Sequence, residues 1–431
     1  MRSVISSFFL AQYKSLLKTN FNLHLVNQMQ KQVLLKSVKD LFNPKFIDNL
    51  IYVLIAFWLI VKLIDFTTIS ISYQAVFHFQ ITVSKVLCVL FFLYYLYKWS
   101  ECSKDKLNLV LCVLFLVASY LLNKYTKTQL VYDLFFLPLF LCQFLDKTKF
   151  YKFVLTSFCL LFVIVLLLYF SNYIHDTDNF FRQGGIRRYS LGYIHPNALG
   201  FYVVLFCFFY LMLKTTFKFY DYLVFCVLAY FCYKVPNSIT SASLITILMA
   251  FVFVSSFFLR KKMSRKINFV ILFICLLLVA TVLFFTYYIT FTESFKNYLQ
   301  SLPGSIWARF ELSKKGYEIF GFSLLGKYDE FCEMIVGIVQ QHGPKAVWLI
   351  LDCTYFFLPI IHGLIVFLIF LLMLIWSLVR GVLDQKYLYA LIIIAIVIYG
   401  VSETTIFSPV MMPLFAYTFF STFKNDDKSK E

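Results

Sequence analysis

The sequence predicts an all-α, polytopic integral membrane protein, and three observations carry that prediction. The 431-residue chain is 61% hydrophobic and 14% charged, whereas a soluble domain is about 45–50% apolar and about 25% charged. Its apolar residues gather into runs long enough to cross a bilayer as helices, about 20 residues each. These runs lack the alternation of barrel strands, and lipid cannot satisfy exposed backbone groups, so helices are the structure that fits.

About twelve spans follow from the runs. They cover residues 50–66, 76–97, 107–123, 129–146, 152–170, 196–213, 220–236, 241–259, 267–290, 348–378, 387–402 and 406–422. Residues 1–49 read as an amphipathic lead-in without the pattern of a cleaved signal peptide. Residues 50–290 form the first nine spans, interrupted by a connection at 171–194. A long connection at 291–347 follows, then the last three spans within 348–422 and a tail at 423–431. The run at 348–378 is long for one span, so its first turns are expected above the membrane or tilted.

The net charge of +17 comes from 39 Lys+Arg against 22 Asp+Glu. In a soluble chain it would suggest nucleic acid. Here about two thirds of the cations fall in one alternate set of connections, which the positive-inside rule assigns to the cytoplasm. The run RKKMSRK at 260–266 is the firmest of these anchors. Both termini are therefore expected on the cytoplasmic side, and the charge is read as topology. No nucleic-acid partner is implied. The eleven cysteines lie mostly within apolar runs, where free Cys acts as a small hydrophobe.

The chemistry concentrates in the outer connections. The stretch RQGGIRRYSLGYIHPNALG at 182–200 sets Arg182, Arg187 and Arg188 beside His195 and Asn197 at the mouth of a span that opens on Pro196. Arginine forks match phosphate oxygens two at a time, and a helix N-terminus adds amide donors. The long loop carries Trp307 and Arg309, then Lys327, Asp329 and Glu330. Apolar residues at helical spacing (Trp307, Phe310, Tyr317, Phe320, Leu324) predict short helices folded on the outer face. Asp352 and Tyr355, three residues apart, are expected to share a helical face at the start of the tenth span, with Asp352 lining a wet cavity opposite an arginine. His362 and Gly363 are expected two turns deeper. Glu403 sits at the outer end of the eleventh span. NSITSAS at 237–243 supplies small hydroxyls, mostly as packing groups. Asp176 and Asp178, in DTD, form a weak candidate for a divalent cation. No Walker sequence, HExxH or GxSxG occurs, which removes support for ATPase, zincin and serine hydrolase readings.

RYSLGYIHPNALG resembles the arginine–SxG–HPN–G motif of bacterial O-antigen and capsular polysaccharide polymerases of the Wzy type. Arg188, Gly192, His195, Pro196, Asn197 and Gly200 match as they stand. Arg309 followed by YEIFGFSLLG resembles the family's second arginine segment, and Asp352 with Tyr355 and Gly363 resembles its acidic–aromatic–Gly pattern. One departure is the Ser-Arg pair that members often carry after the seventh span, where this chain has TSASL at 240–244.

The resemblance implies a GT-C-like fold with one large outer loop, located in the bacterial inner membrane. It implies a glycosyltransferase that uses undecaprenyl-diphosphate-linked oligosaccharide, with no cofactor and no metal. A chain-length regulator and a flippase of the same pathway are the implied partners, besides the lipid bilayer. Arg188 and Arg309 would stabilise the diphosphate leaving group, and His195 or Asp352 would act as base, His195 alternatively orienting phosphate. Arg187, Arg182, Asn197, Tyr355 and Lys327 would bind substrate, and aromatic rings would stack on sugars. Two other readings remain open from sequence: a ligase that passes the glycan to a different acceptor, and a flippase for lipid-linked sugars.

Overall fold

The structure, a computed structural model, describes residues 44–64, 66–69, 74–100, 106–126, 131–176, 180–181, 187–214, 217–257, 263–292, 306–342 and 351–420. Contacts group the chain into two units, Met1–Val53 and Leu54–Glu431, and the site and cavity described below belong to the second. Most of the expected lead-in, the tail and Arg182 lie outside the described residues.

The helices run α1 (Pro44–Ile64), α2 (Gln74–Lys98), α3 (Lys106–Thr126), α4 (Val131–Cys142) and α5 (Lys147–Phe170). A two-residue antiparallel pair follows, β1 (Phe180–Phe181) and β2 (Arg187–Arg188), with Phe180 opposite Arg188. Then come α6 (Pro196–Leu213), α7 (Phe219–Lys234), α8 (Ile239–Phe257) and α9 (Arg265–Phe291). Two short helices, α10 (Ile306–Phe320) and α11 (Tyr328–His342), occupy the long connection. The chain continues as α12 (Thr354–Phe357), a π-helical turn (Leu358–His362), α13 (Leu364–Leu383), α14 (Tyr387–Tyr399), two 3-10 turns (Thr405–Phe407, Pro409–Met411) and α15 (Met412–Phe420).

Six helices are long and apolar enough to cross a membrane among the described residues: α1, α5, α6, α8, α9 and α13. The chain is thus a helical membrane protein. The remaining predicted spans also fall on helices, some of them short, such as α4 with 12 residues and α15 with 9.

Two boundaries differ from the sequence expectation. The run 348–378 is not one helix. Pro359 lacks an amide donor, and Gly363 adopts φ 92°, so the chain breaks there and α13 starts at Leu364. His362 and Gly363 consequently sit at the mouth of the helix, not two turns inside it. The break is held by a loop docked backbone to backbone: Lys327 N–H donates to Ile360 O (2.9 Å) and Leu364 N–H to Ser323 O (2.8 Å). A Cβ on Gly363 would lie 2.4 Å from Leu324 O, and one on Gly326 2.3 Å from Ile361 O, so only glycine fits on either side. Likewise 406–422 begins as the two 3-10 turns, because Pro409 cannot continue a helical ladder.

Helix α6 is the centre of the bundle. Thirteen of its 18 residues are buried, and it packs against α5, α7, α8 and α15. Helix α9 is the opposite case. It exposes Phe269, Val270, Phe273, Ile274, Leu277, Leu278, Phe284 and Phe285. A face so apolar and so exposed is a lipid-facing one.

Candidate functional site

The site forms where the starts of α6, α8 and α10 meet the end of α14. The chain enters through residues 187–195, clamped from two sides. Thr68 N–H donates to Gly192 O (2.8 Å), Ile194 N–H to Phe66 O (3.0 Å) and Tyr189 N–H to Val235 O (3.0 Å). Asp176 accepts from the Ser190 hydroxyl (2.6 Å) and from Gly192 N–H (3.2 Å). Asp176 therefore acts as a loop brace, and Asp178, the other half of the candidate cation pair, lies outside the described residues.

Arg188 is half-buried. Its Nε donates to Pro236 O (2.8 Å) and its Nη2 to Asn197 Oδ1 (2.5 Å). These bonds fix the guanidinium across the mouth of α6. Arg187 is exposed and lies over the Tyr189 ring at 5.0 Å.

His195 is the N-cap of α6, in extended conformation, with Pro196 next to it at the first helical position. Its Nδ1 accepts from Asn197 N–H (3.0 Å), which satisfies one of the orphan amides of the helix start. That bond places the ring proton of the neutral form on Nε2. Burial, then the charges of Arg188 and Arg309, push His195 down to about 4. At neutral pH His195 is thus an uncharged donor through Nε2. With Nδ1 engaged in the cap, it is poorly suited to be a base.

Arg309 comes from α10, whose placement depends on aromatic packing. Phe291 meets Tyr317 (ring centroids 5.1 Å apart), Tyr317 meets Phe322 (4.7 Å), and Tyr287 meets Phe356 (4.8 Å). Arg309 itself is only 6% exposed. Its Nη1 donates to Ser402 O, its Nη2 lies 3.4 Å from Glu403 Oε1, and its Nε lies 3.5 Å from Asp352 Oδ2. Thr240, in the first turn of α8, donates to the same Glu403 oxygen (3.4 Å). Burial raises Glu403 to about 7, against the opposing pull of Arg309. Burial also raises Asp352, again opposed by Arg309. The Asp352 side chain is 32% exposed and that of Glu403 is 8% exposed, so Asp352 is the carboxylate open to a substrate.

Below this layer, Ser238 donates to Ser241 (2.9 Å), and Ser241 lies 3.4 Å from Tyr399 Oη. Gly200 permits the close approach: a Cβ there would be 2.6 Å from Ser241 Oγ.

The structure thus gathers Arg188, His195, Asn197, Arg309 and Asp352. Two of the expected site residues are placed elsewhere. Tyr355 does not share a face with Asp352, because Asp352 precedes the helix that starts at Thr354. Tyr355 is fully buried and donates to Val397 O (2.6 Å), which makes it a support beneath the site. Lys327 pairs with Glu330 at 3.1 Å in a solvated contact. Glu403 and Thr240 join the site. The sequence singled out Glu403 at the outer end of its apolar run without giving it a role, and it read the hydroxyls at 237–243, Thr240 among them, as packing groups.

Comparisons with protein-family models, with curated proteins and with solved structures return no match.

Proposed function

We propose that this chain is a membrane glycosyltransferase that polymerises undecaprenyl-diphosphate-linked oligosaccharide repeat units on the outer face of a bacterial inner membrane. The proposal includes about twelve crossings in a GT-C-like arrangement with both termini cytoplasmic. The observation that carries it is convergence. Two arginines more than a hundred residues apart both act on His195, a neutral donor at a helix mouth, beside a carboxylate pair.

The site's groups suit the reaction. The acceptor hydroxyl oxygen attacks the anomeric carbon of the donor. The bond from that carbon to the diphosphate oxygen breaks, and its electron pair leaves on the diphosphate. The hydroxyl proton passes to Asp352, the accessible carboxylate with a raised proton affinity. Arg188 and the exposed Arg187 meet the departing charge, and His195 Nε2–H orients a phosphate oxygen. Arg309 is a positioning residue here: it holds Asp352 against Glu403 and adds positive potential without leaving its carbonyl and carboxylate partners.

Purified protein incubated with lipid-linked repeat units tests the reading. A ladder of longer glycans supports polymerisation. Product only with a second kind of acceptor indicates a ligase, and movement of lipid-linked sugar across liposomes without a new glycosidic bond indicates a flippase. Either of those results would replace the proposal.

A further inference from the structure

The same helices that build the outer site define a second polar place at their other ends. Helix α6 opens at His195 and closes at Lys214. Helix α8 opens beside Thr240 and closes after Ser255 and Ser256, while α14 opens after Lys386 and closes toward Ser402. Helix α6 has 18 residues, so it is about 27 Å long, close to the hydrocarbon thickness of a bilayer. The far ends therefore lie at the opposite membrane interface.

A cavity of about 670 Å³ opens there, lined by Lys147, Lys214, Ser255, Gln385, Lys386 and Tyr417 among others. Its charge is positive. Lys214 is paired with Asp221 (2.9 Å). Asp384 is not in the lining, but its charge reaches Tyr417 in the wall, where that of Arg380 opposes it. Lys147 and Lys386, close enough to act on each other, are the cations in the lining without a carboxylate salt-bridge partner among the described residues. Lys147 Nζ is held over the Tyr417 ring, 3.9 Å from its centroid, which fixes one ammonium at the wall. Gln385 supplies a second independent sign. Its amide nitrogen donates to Met263 O (3.3 Å), while its buried Oε1 has no hydrogen-bond partner. A buried acceptor without a donor is costly. Gln385 lines the cavity, so a turn of its amide would bring this oxygen to a ligand hydroxyl.

Two ammonium groups, an unsatisfied acceptor and a membrane-interface depth define a ligand with a phosphate and a hydroxyl. We infer that this cavity binds the headgroup of an anionic phospholipid such as phosphatidylglycerol, its phosphate on Lys147 and Lys386 and a glycerol hydroxyl on Gln385. The binding holds the ends of α5, α6 and α14 together and requires nothing of the outer site.

The test uses the full chain purified in detergent, with its thermal unfolding midpoint measured as lipid is added. Phosphatidylglycerol should raise the midpoint by several degrees. Phosphatidylcholine and millimolar inorganic phosphate should not. Lys147→Gln with Lys386→Gln should abolish the rise, and Lys147→Arg should keep it. An equal rise with phosphatidylcholine, or an undiminished rise in the double variant, would overturn the inference. A lysine-dependent rise with inorganic phosphate would assign the site to free phosphate and overturn the lipid source. Should the double variant fail to fold, native mass spectrometry of copurified phosphatidylglycerol on Lys386→Gln decides: retention equal to wild type overturns the site. No transfer activity is read, so failure here leaves the reading of the outer site untouched.

Discussion

Replacing Arg309 with alanine removes the cation that faces both Asp352 and Glu403 and leaves two carboxylates with a raised proton affinity beside each other. At the 3.4 Å separation of Arg309 and Glu403, Coulomb's law at an effective dielectric of about 20 gives roughly 5 kcal/mol. Desolvation offsets part of that, and breaking a buried pair by removing one partner costs about 3–5 kcal/mol. Asp352 is partly solvated, so it adds little. The loss must depend on pH. Without Arg309 the Glu403 proton affinity rises above its present value of about 7, so the carboxyl is neutral at pH 5.5 and the stranded charge disappears. Thermal unfolding in detergent at pH 8 and pH 5.5 reads this. Arg309→Ala should be destabilised at both pH values and by about 1 kcal/mol more at pH 8 than at pH 5.5, because Glu403, at about 7 in the wild type, has one pH unit of ionisation to lose, and Arg309→Ala with Glu403→Gln should recover that part of the loss at pH 8. Equal destabilisation at both pH values, with no recovery in the double variant, would refute the reasoning.

Three further predictions follow from the same geometry. Glu403 has its folded-state affinity raised from the ordinary 4.5 to about 7, so the native state binds the extra proton and stability falls as pH climbs from about 4.5 to about 7. Glu403→Gln should flatten that part of the stability profile, leaving the smaller slope due to Asp352. His195→Asn keeps an N-cap acceptor and loses the Nε2 donor, so melting should stay near wild type while transfer slows at least tenfold. The shape of its pH–rate profile between pH 6 and 8 should not change, since His195 titrates near 4. Gly363→Ala places a Cβ against Leu324 O at φ 92°, and it should cost about 2 kcal/mol or more, read as a lowered melting temperature.

Much of this was legible in the sequence because a bilayer imposes a simple rule. Apolar runs become helices, and the runs at 152–170, 196–213 and 267–290 correspond closely to α5, α6 and α9. Hydropathy alone could not show the break at Gly363, since Leu358, Ile360 and Ile361 are as apolar as the helix that follows. That break depends on a proline, a positive-φ glycine and a loop docked from some forty residues upstream. At the site, Arg188, His195 and Asn197 are neighbours in sequence, so local spacing exposed them. Arg309 acts on His195 from more than a hundred residues away and pairs with Glu403 94 residues further on, and no periodicity encodes such contacts. Tyr355 was misplaced for a related reason. Spacing of three suggests a shared face only if the segment is already helical, and at Asp352 it is not.

The central claim is that Arg188, fixed across the mouth of α6, receives a departing lipid diphosphate. The most direct measurement is glycan transfer by the purified protein supplied with lipid-linked repeat units, comparing wild type with Arg188→Gln and resolving products by length. The account predicts a ladder for the wild type and a fall of at least a hundredfold for Arg188→Gln while the variant melts as a folded protein. A wild type that builds no longer glycan with any acceptor, or an Arg188→Gln protein that builds the same ladder at the same rate, would contradict it.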